Sequence, residues 1–446
     1  MIPLTGATLS RWTPAYFATA FAALLAAEAL VAGGLAYPAA PLLAPGSLVA
    51  VHLVTIGWLS LLMLGALHQF LPVIAARPLA SDRAALVSLL LIGVGLAAMI
   101  CGFLALTGSG APVWLLPVGG SSVLAGFLCA IANFAVTLRG VRPLPLPARF
   151  VAAALGFLVL AALLGLSFGL AFSLPSPPAW LAVLAAQGLP LHLAAGIGGW
   201  FTLTAIGVGY KLLPMFMLAE EDRGRTGTGI LLLLALGLGL AWAAALAAVL
   251  FDASSSLAEA AGEAAFAAGL VLYLWDMQHL YRSRLRRPLE LNSLTAAASL
   301  GVLGLVLAGA LAAPLYPAAL DAVPALLLLA VTGWLSLLGL GQLYKIVPFL
   351  TWLERYAPRL GRGRVPRVQD LVKESRARAW FGLFLSGALV TTAAALLAMP
   401  ALARVGAAML LLSTLVIGRE LLRARRGAPS APQPASPSRP SIIGSH

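Results

Sequence analysis

The sequence predicts an all-α, polytopic membrane protein: twelve transmembrane helices in three four-helix arcs with pseudo-threefold symmetry. Three observations predict it. First, 61% of the residues are hydrophobic, only 10% are charged, and the mean hydropathy is +0.98, a balance far from that of soluble domains. Second, apolar runs of about 20 residues recur along the chain, the length a helix needs to cross roughly 30 Å of hydrocarbon. Third, one stretch is written three times. It reads VHLVTIGWLSLLMLGALHQFLPV from Val51 to Val73, LHLAAGIGGWFTLTAIGVGYKLLPM from Leu191 to Met215, and LLLLAVTGWLSLLGLGQLYKIVPF from Leu326 to Phe349.

Aligned on Pro72, Pro214 and Pro348, the copies share Gly57-Trp58, Gly199-Trp200 and Gly333-Trp334. They also share a hydroxyl (Ser60, Thr202, Ser336) and a glycine (Gly65, Gly207, Gly341). A polar pair precedes each proline: His68-Gln69, Tyr210-Lys211 and Tyr344-Lys345. Gap-free columns of this kind mark an internal triplication. Because Gly-Trp recurs even in the copy that lacks histidine, close helix packing at glycine is its favoured role over a cofactor wall.

In chain order the spans are expected at about 12–36, 47–73, 84–107, 113–137, 149–173, 188–217, 228–251, 256–281, 291–315, 324–352, 378–398 and 401–422. The run after Arg11 is of spanning length, so the N-terminus is not read as a signal peptide. The repeat units are about 12–137, 149–281 and 291–422, within a transmembrane domain of residues 1–426, and the triplicated stretch is the second helix of each. All three copies run in the same direction, which disfavours an inverted-repeat transporter plan. Arginines follow spans 2, 4, 6, 8 and 10, including the RSRLRR run Arg282–Arg287 and the basic loop Arg355–Arg378. The opposite loops, Ala36–Gly46, Thr107–Ala111, Ser173–Pro178, Asp252–Ser256 and Pro314–Asp321, carry no Lys or Arg. This places both termini in the cytoplasm, with Arg404 as the one charge out of pattern. The net charge of +13 is therefore a signature of membrane orientation, not of nucleic-acid binding. Residues 427–446 form a Pro/Ser/Ala-rich tail expected to be disordered, ending in Gly-Ser-His like the start of an affinity-tag scar. Cys101 and Cys129 lie in apolar runs without metal-like spacing and read as buried structural thiols.

Twelve spans in three arcs, with motif helices at 2, 6 and 10, resemble subunit I of the haem–copper oxidase superfamily, closest to the nitric oxide reductase large subunit and the C-type cytochrome oxidases. The run His52 … Trp58 … Gly65 … Pro72 is similar to the family's second helix, which carries a haem-ligand His, then a Trp, a Gly, an aromatic and a Pro. Relatives carry a His-x-His-Leu-x-x-x-Gly-Trp signature, of which His52 keeps one half and His192 the other. The resemblance implies a bacterial-type plasma (inner) membrane location, non-covalent b-type haem, copper as a further cofactor, and a respiratory-chain or cytochrome partner. The chain departs from the family at Leu326 and Leu328, which occupy the signature positions of the third copy. The family's haem–copper binuclear centre is thus not expected.

His52 sits about 8 Å below the outer end of its span, and His192 at an equivalent depth. An imidazole there is either a haem or metal ligand or a structural group satisfied by a helix carbonyl and a hydroxyl such as Thr55. If the two helix faces meet, His52 and His192 share one haem, their nitrogens roughly 4 Å apart across the metal. Copper or zinc lacks an obvious third ligand. His68 lies about 24 Å from His52 at the cytoplasmic end, level with His279; the two either hold a second haem or are solvated near the headgroups. Lys211 and Lys345, beside Tyr210 and Tyr344, either snorkel to headgroups or anchor propionates or another anion. Glu28 and Glu263 are carboxylates in the outer half of the membrane, for proton transfer, cation binding or a bond to a neighbouring helix.

Three functions follow. One is a redox membrane protein holding haem for electron transfer or NO/O2 binding, an oxidoreductase if it turns over substrate. Another is a cofactor-free transporter or channel, with a polar path along Glu28, Glu263, Gln187 and Gln342. The third is a haem- or copper-handling assembly partner of respiratory complexes.

Overall fold

The computed structural model describes residues 10–108, 110, 112–221, 224–253, 256–313, 322–361 and 365–426. Arg223, the tail from Gly427, the loop Pro314–Asp321 and parts of two other loops that lack Lys and Arg lie outside the described residues. Among the described residues there is no strand, and twelve helices are long and apolar enough to span a membrane. They are α1 Thr13–Ala32, α2 Pro45–Ala75, α3 Asp82–Ala105, α4 Leu115–Leu138, α5 Leu146–Ser173 and α6 Leu189–Met217. Then follow α7 Gly224–Phe251, α8 Ser256–Ser283, α9 Leu291–Ala312, α10 Val323–Arg355, α11 Glu374–Leu396 and α12 Pro400–Arg426. A short helix, Ala179–Gln187, precedes α6.

Local chemistry sets the ends. Proline occupies the first turn of α1, α2, α5, α6 and α10, where its missing N–H costs nothing. Ser81 caps α3 by accepting from the Ala84 N–H at 3.1 Å. Four residues past their repeat prolines, Ala76 and Leu218 turn left-handed (φ 49° and 52°) and stop α2 and α6. The third copy runs on to Arg355.

Helix pairing recurs every four spans. The third and fourth helices of each unit form a tight hairpin (α3–α4, α7–α8, α11–α12), and the first packs on the second (α1–α2, α5–α6, α9–α10). Neighbouring units meet at α4–α5 and α8–α9, and α12 returns to α1. The motif helices α2, α6 and α10 are the most enclosed, with 61, 61 and 50% of their apolar stretch buried against no more than 44% for any other. They form the middle of the bundle.

The repeated glycines seat the first helix of each unit on its motif helix. A Cβ at Gly65 would sit 2.7 Å from Tyr16 Cβ, and one at Gly207 would sit 2.6 Å from Phe150 Cβ; at Gly341 it would collide with Thr295. Only small residues permit such approach between helices in lipid. The repeated Gly-Trp-x-hydroxyl stretch does something the sequence did not announce. In all three copies it winds as π-helix, at Leu53–Ser60, Ala194–Phe201 and Ala330–Ser336. The wider turn frees a carbonyl five residues back, and the repeated hydroxyl answers it. Ser60 donates to Thr55 O at 2.8 Å, Thr202 to Ile197 O at 2.7 Å, and Ser336 to Val331 O at 2.7 Å. The same hydroxyls receive indole protons from neighbouring copies: Trp58 Nε1 donates to Ser336 Oγ at 2.9 Å and Trp200 Nε1 to Ser60 Oγ at 3.1 Å. These bonds tie α2 to α10 and α6 to α2.

Two expectations change here. Cys101 is exposed on the outside of the bundle, because its side of α3 faces away from α2 and α4; Cys129 is half-buried. Arg404 is not a stray charge: its Nε donates to Ala32 O at 3.1 Å, placing a cation at the C-terminal end of α1.

Trp58→Phe keeps the ring but removes the donor, and should lower stability in detergent by about 1 kcal/mol; Trp334→Phe, whose indole makes no such bond among the described residues, should cost clearly less. Gly65→Ala should destabilise by about 1–3 kcal/mol through overpacking. Gly93→Ala, which meets nothing within 4 Å, should be neutral or mildly stabilising. Thermal unfolding of the four variants checks both pairs.

Candidate functional site

At the N-terminal ends of the motif helices, the side that the arginine pattern predicts to be outer, the bundle holds an apolar cavity of about 390 Å³. Equivalent repeat positions from all three copies line it: Val51, Leu193 and Leu327, and again Thr55, Ile197 and Val331. Its floor is the π-helical level, with Trp200, Ser60 and Ser336. Its rim includes Tyr37, Leu42 and Leu43 from the α1–α2 connection. That connection is braced by Ser47, whose hydroxyl accepts from Tyr37 N at 2.8 Å and donates to Pro41 O at 2.7 Å. Partial burial at the rim pushes the Tyr37 hydroxyl above its ordinary pKa.

Besides Tyr37 at the rim, three ionisable side chains line this cavity, His52, His192 and Glu28. Each is held by one atom. His52 Nδ1 meets Leu48 O at 2.7 Å, one turn back on its own helix, and its ring lies against Phe103 with centroids 4.7 Å apart. Thr55 spends its hydroxyl on Val51 O instead of on the imidazole. His192 Nδ1 meets Ala161 O of α5 at 2.9 Å, with Phe168 edge-on at 5.6 Å. Gly165 leaves space for the ring: a Cβ there would be 3.1 Å from His192 Cε1. Neither Nε2 makes a hydrogen bond among the described residues, and both rings line the same cavity. Glu28 is 6% exposed; its Oε1 accepts from the Thr414 hydroxyl of α12 at 2.9 Å, and its Oε2 is buried without a partner. Among the described residues no Lys or Arg lines the cavity, so a charge there has no counter-ion from them. Leu327 and Leu328 of the third copy fill the remaining sector of the wall.

The other candidates lie apart. His68 is wholly buried between Tyr16 and Phe134, centroids 5.1 and 4.7 Å away, with Nδ1 on Leu64 O at 2.7 Å. His279 is exposed on α8, stacked on Trp275 at 6.2 Å. The inner pair therefore is not brought together. Lys211 pairs with Glu221, and Lys345 with Glu290 at 2.6 Å, where Arg286 joins at 2.7 Å. Both ammoniums are matched by carboxylates of the chain. Tyr344 donates to Glu420 Oε2 at 2.6 Å, while Tyr210 is buried against Phe150 and Tyr273. Glu263 and Gln187 are exposed, away from Glu28, and Gln342 lies deeper on α10. The polar path drawn from the sequence is dispersed.

Chemically, the cavity offers two imidazoles with Nδ1 pinned and Nε2 available, in an aliphatic and aromatic shell. A backbone carbonyl on Nδ1 fixes the tautomer and ring plane, as outer partners of metal-bound histidines do. No group of three or more His, Cys, Asp or Glu is gathered for a metal among the described residues; that leaves two imidazoles as the donor set. What sequence reasoning missed is Thr414, a partner 386 positions from Glu28.

A neutral imidazole bonded to a carbonyl through Nδ1 carries its proton there. Side-chain 15N spectra of protein without added haem should show protonated Nδ1 and bare Nε2 for His52, His68 and His192; a protonated Nε2 on His52 or His192 contradicts the site geometry. Neither a scan against protein-family models nor a search of curated proteins finds a match to this chain.

Proposed function

We propose that this chain is a membrane redox protein, a divergent relative of haem–copper oxidase subunit I in the nitric-oxide-reductase-like branch. It holds a b-type haem in the outer cavity through His52 and His192, without the family's haem–copper binuclear centre. The observation that carries the reading is the convergence of two imidazoles on one apolar cavity, each with Nδ1 clamped and Nε2 uncommitted. Bound there, haem supplies one-electron exchange and affinity for NO or O2.

The chain's own residues do the rest. His52 and His192 supply the donors; Leu48 O and Ala161 O hold their ring planes. Phe103 and Phe168 pack against the imidazoles, and the leucines of the third copy keep water from the wall. Among the described residues no Lys or Arg lines the cavity, so an acidic group of a ligand would find no counter-ion in its wall, and Tyr37 at the rim would offer it a polar side chain. The basic loops put both termini on the cytoplasmic side of a bacterial-type inner membrane, so the cavity opens toward the outer face, where a cytochrome or other respiratory partner meets it. Copper at the same two imidazoles, as in an assembly partner, has less support because two donors leave its coordination incomplete. The transport reading loses its polar path.

Purified protein made with haem available should show a Soret band near one haem per chain. His52→Ala and His192→Ala should each abolish or shift it, and His279→Ala should leave it unchanged. A colourless wild-type preparation overturns the reading.

A further inference from the structure

A second cavity lies on the same axis, nearer the cytoplasmic side of the π-helical level, with a volume of about 90 Å³. Equivalent repeat positions again line it from all three motif helices: Leu62, Thr204 and Leu338, and Ala66, Val208 and Gln342. Packing alone would repeat an aliphatic residue in each column, as two copies do in both. The second copy instead places a hydroxyl there and the third a carboxamide. Thr204 is 0% exposed, and its Oγ1 has no hydrogen-bond partner; the enclosed Gln342 Oε1 has none either. Tyr273 of α8 also lines the cavity, and its hydroxyl reaches to 3.4 Å from where a Cβ on Gly209 would stand.

Two unpartnered oxygens on two helices that line one cavity, in a part of the chain surrounded by hydrocarbon, call for a donor that the described residues do not supply. The space suits water, which needs only about 10–15 Å³ per molecule. It does not suit an ion: no Asp, Glu, Lys or Arg lines it to balance a charge. We propose that this inner cavity is a binding site for a small cluster of ordered water, held by Thr204 Oγ1, Gln342 Oε1 and the Tyr273 hydroxyl. The cluster hydrates the bundle axis beneath the Trp58–Ser336 and Trp200–Ser60 floor. The site stands independently of haem in the outer cavity.

Radiolytic hydroxyl-radical labelling of the full chain in lipid nanodiscs, run in 18O water, tests this. Tyr273 and Leu343 line the cavity and are 3 and 1% exposed, while Tyr16 and Leu67 are equally buried but line neither cavity. Water held beside the first pair should label it roughly fivefold or more faster than the second. Thr204→Val with Gln342→Leu should remove that difference. Equal labelling of the two pairs in the wild-type chain overturns the proposal, whatever the variant does. A melting temperature raised by sodium or potassium over choline in wild type, and not in the double variant, assigns the site to a monovalent cation and overturns it as well.

Discussion

Hydrocarbon offers no hydrogen bonds, so every polar group that enters it must be met from within the chain. The repeated hydroxyls meet two such groups at once. Ser60, Thr202 and Ser336 donate to the carbonyl that a π-helical turn releases, and Ser60 and Ser336 accept the indole proton of a tryptophan from another copy. The arrangement is cyclic in sense: the second copy gives to the first, and the first gives to the third. It sets a crosspiece at mid-membrane where the three motif helices meet. Both cavities are what remains above and below it.

A threefold scaffold and a one-sided chemistry are superposed in this chain. Packing residues recur in every copy, since each glycine of the repeat must admit the first helix of its own unit. Above and below the recurring hydroxyls of the floor, the polar residues that face a cavity do not recur. Histidine occurs at the outer level in two copies and leucine in the third; threonine and glutamine occur at the inner level in one copy each. Breaking the repeat at these places creates a wall with a polar and an apolar side, which is what orients a bound molecule. Strict symmetry would present the same face three times.

Much of the fold was legible. Apolar length placed the twelve spans to within a few residues at most ends, because hydrophobic thickness is a local property of sequence. The Gly-Trp columns marked the helices at the centre. His52 and His192 were legible as a pair only through the repeat alignment. Long-range partners were not. Thr414 is an ordinary threonine on an ordinary span until α12 closes against α1, and Arg404 looked misplaced until Ala32 O appeared beside it. The π-helical winding has no composition of its own; it follows from a hydroxyl finding a carbonyl five residues back. His68 and His279 matched in depth but not in direction, and depth is all that counting residues supplies.

The contact between α1 and α12 also has a temporal side. Glu28 is secured by Thr414 and the end of α1 by Arg404, so one wall of the cavity comes from α1 and its support from α12, eleven spans later in the chain. Until α12 is made, the partners that Thr414 and Arg404 supply to α1 are absent. The cavity therefore gains its full wall only when α12 has packed against α1 and the ring of helices has closed.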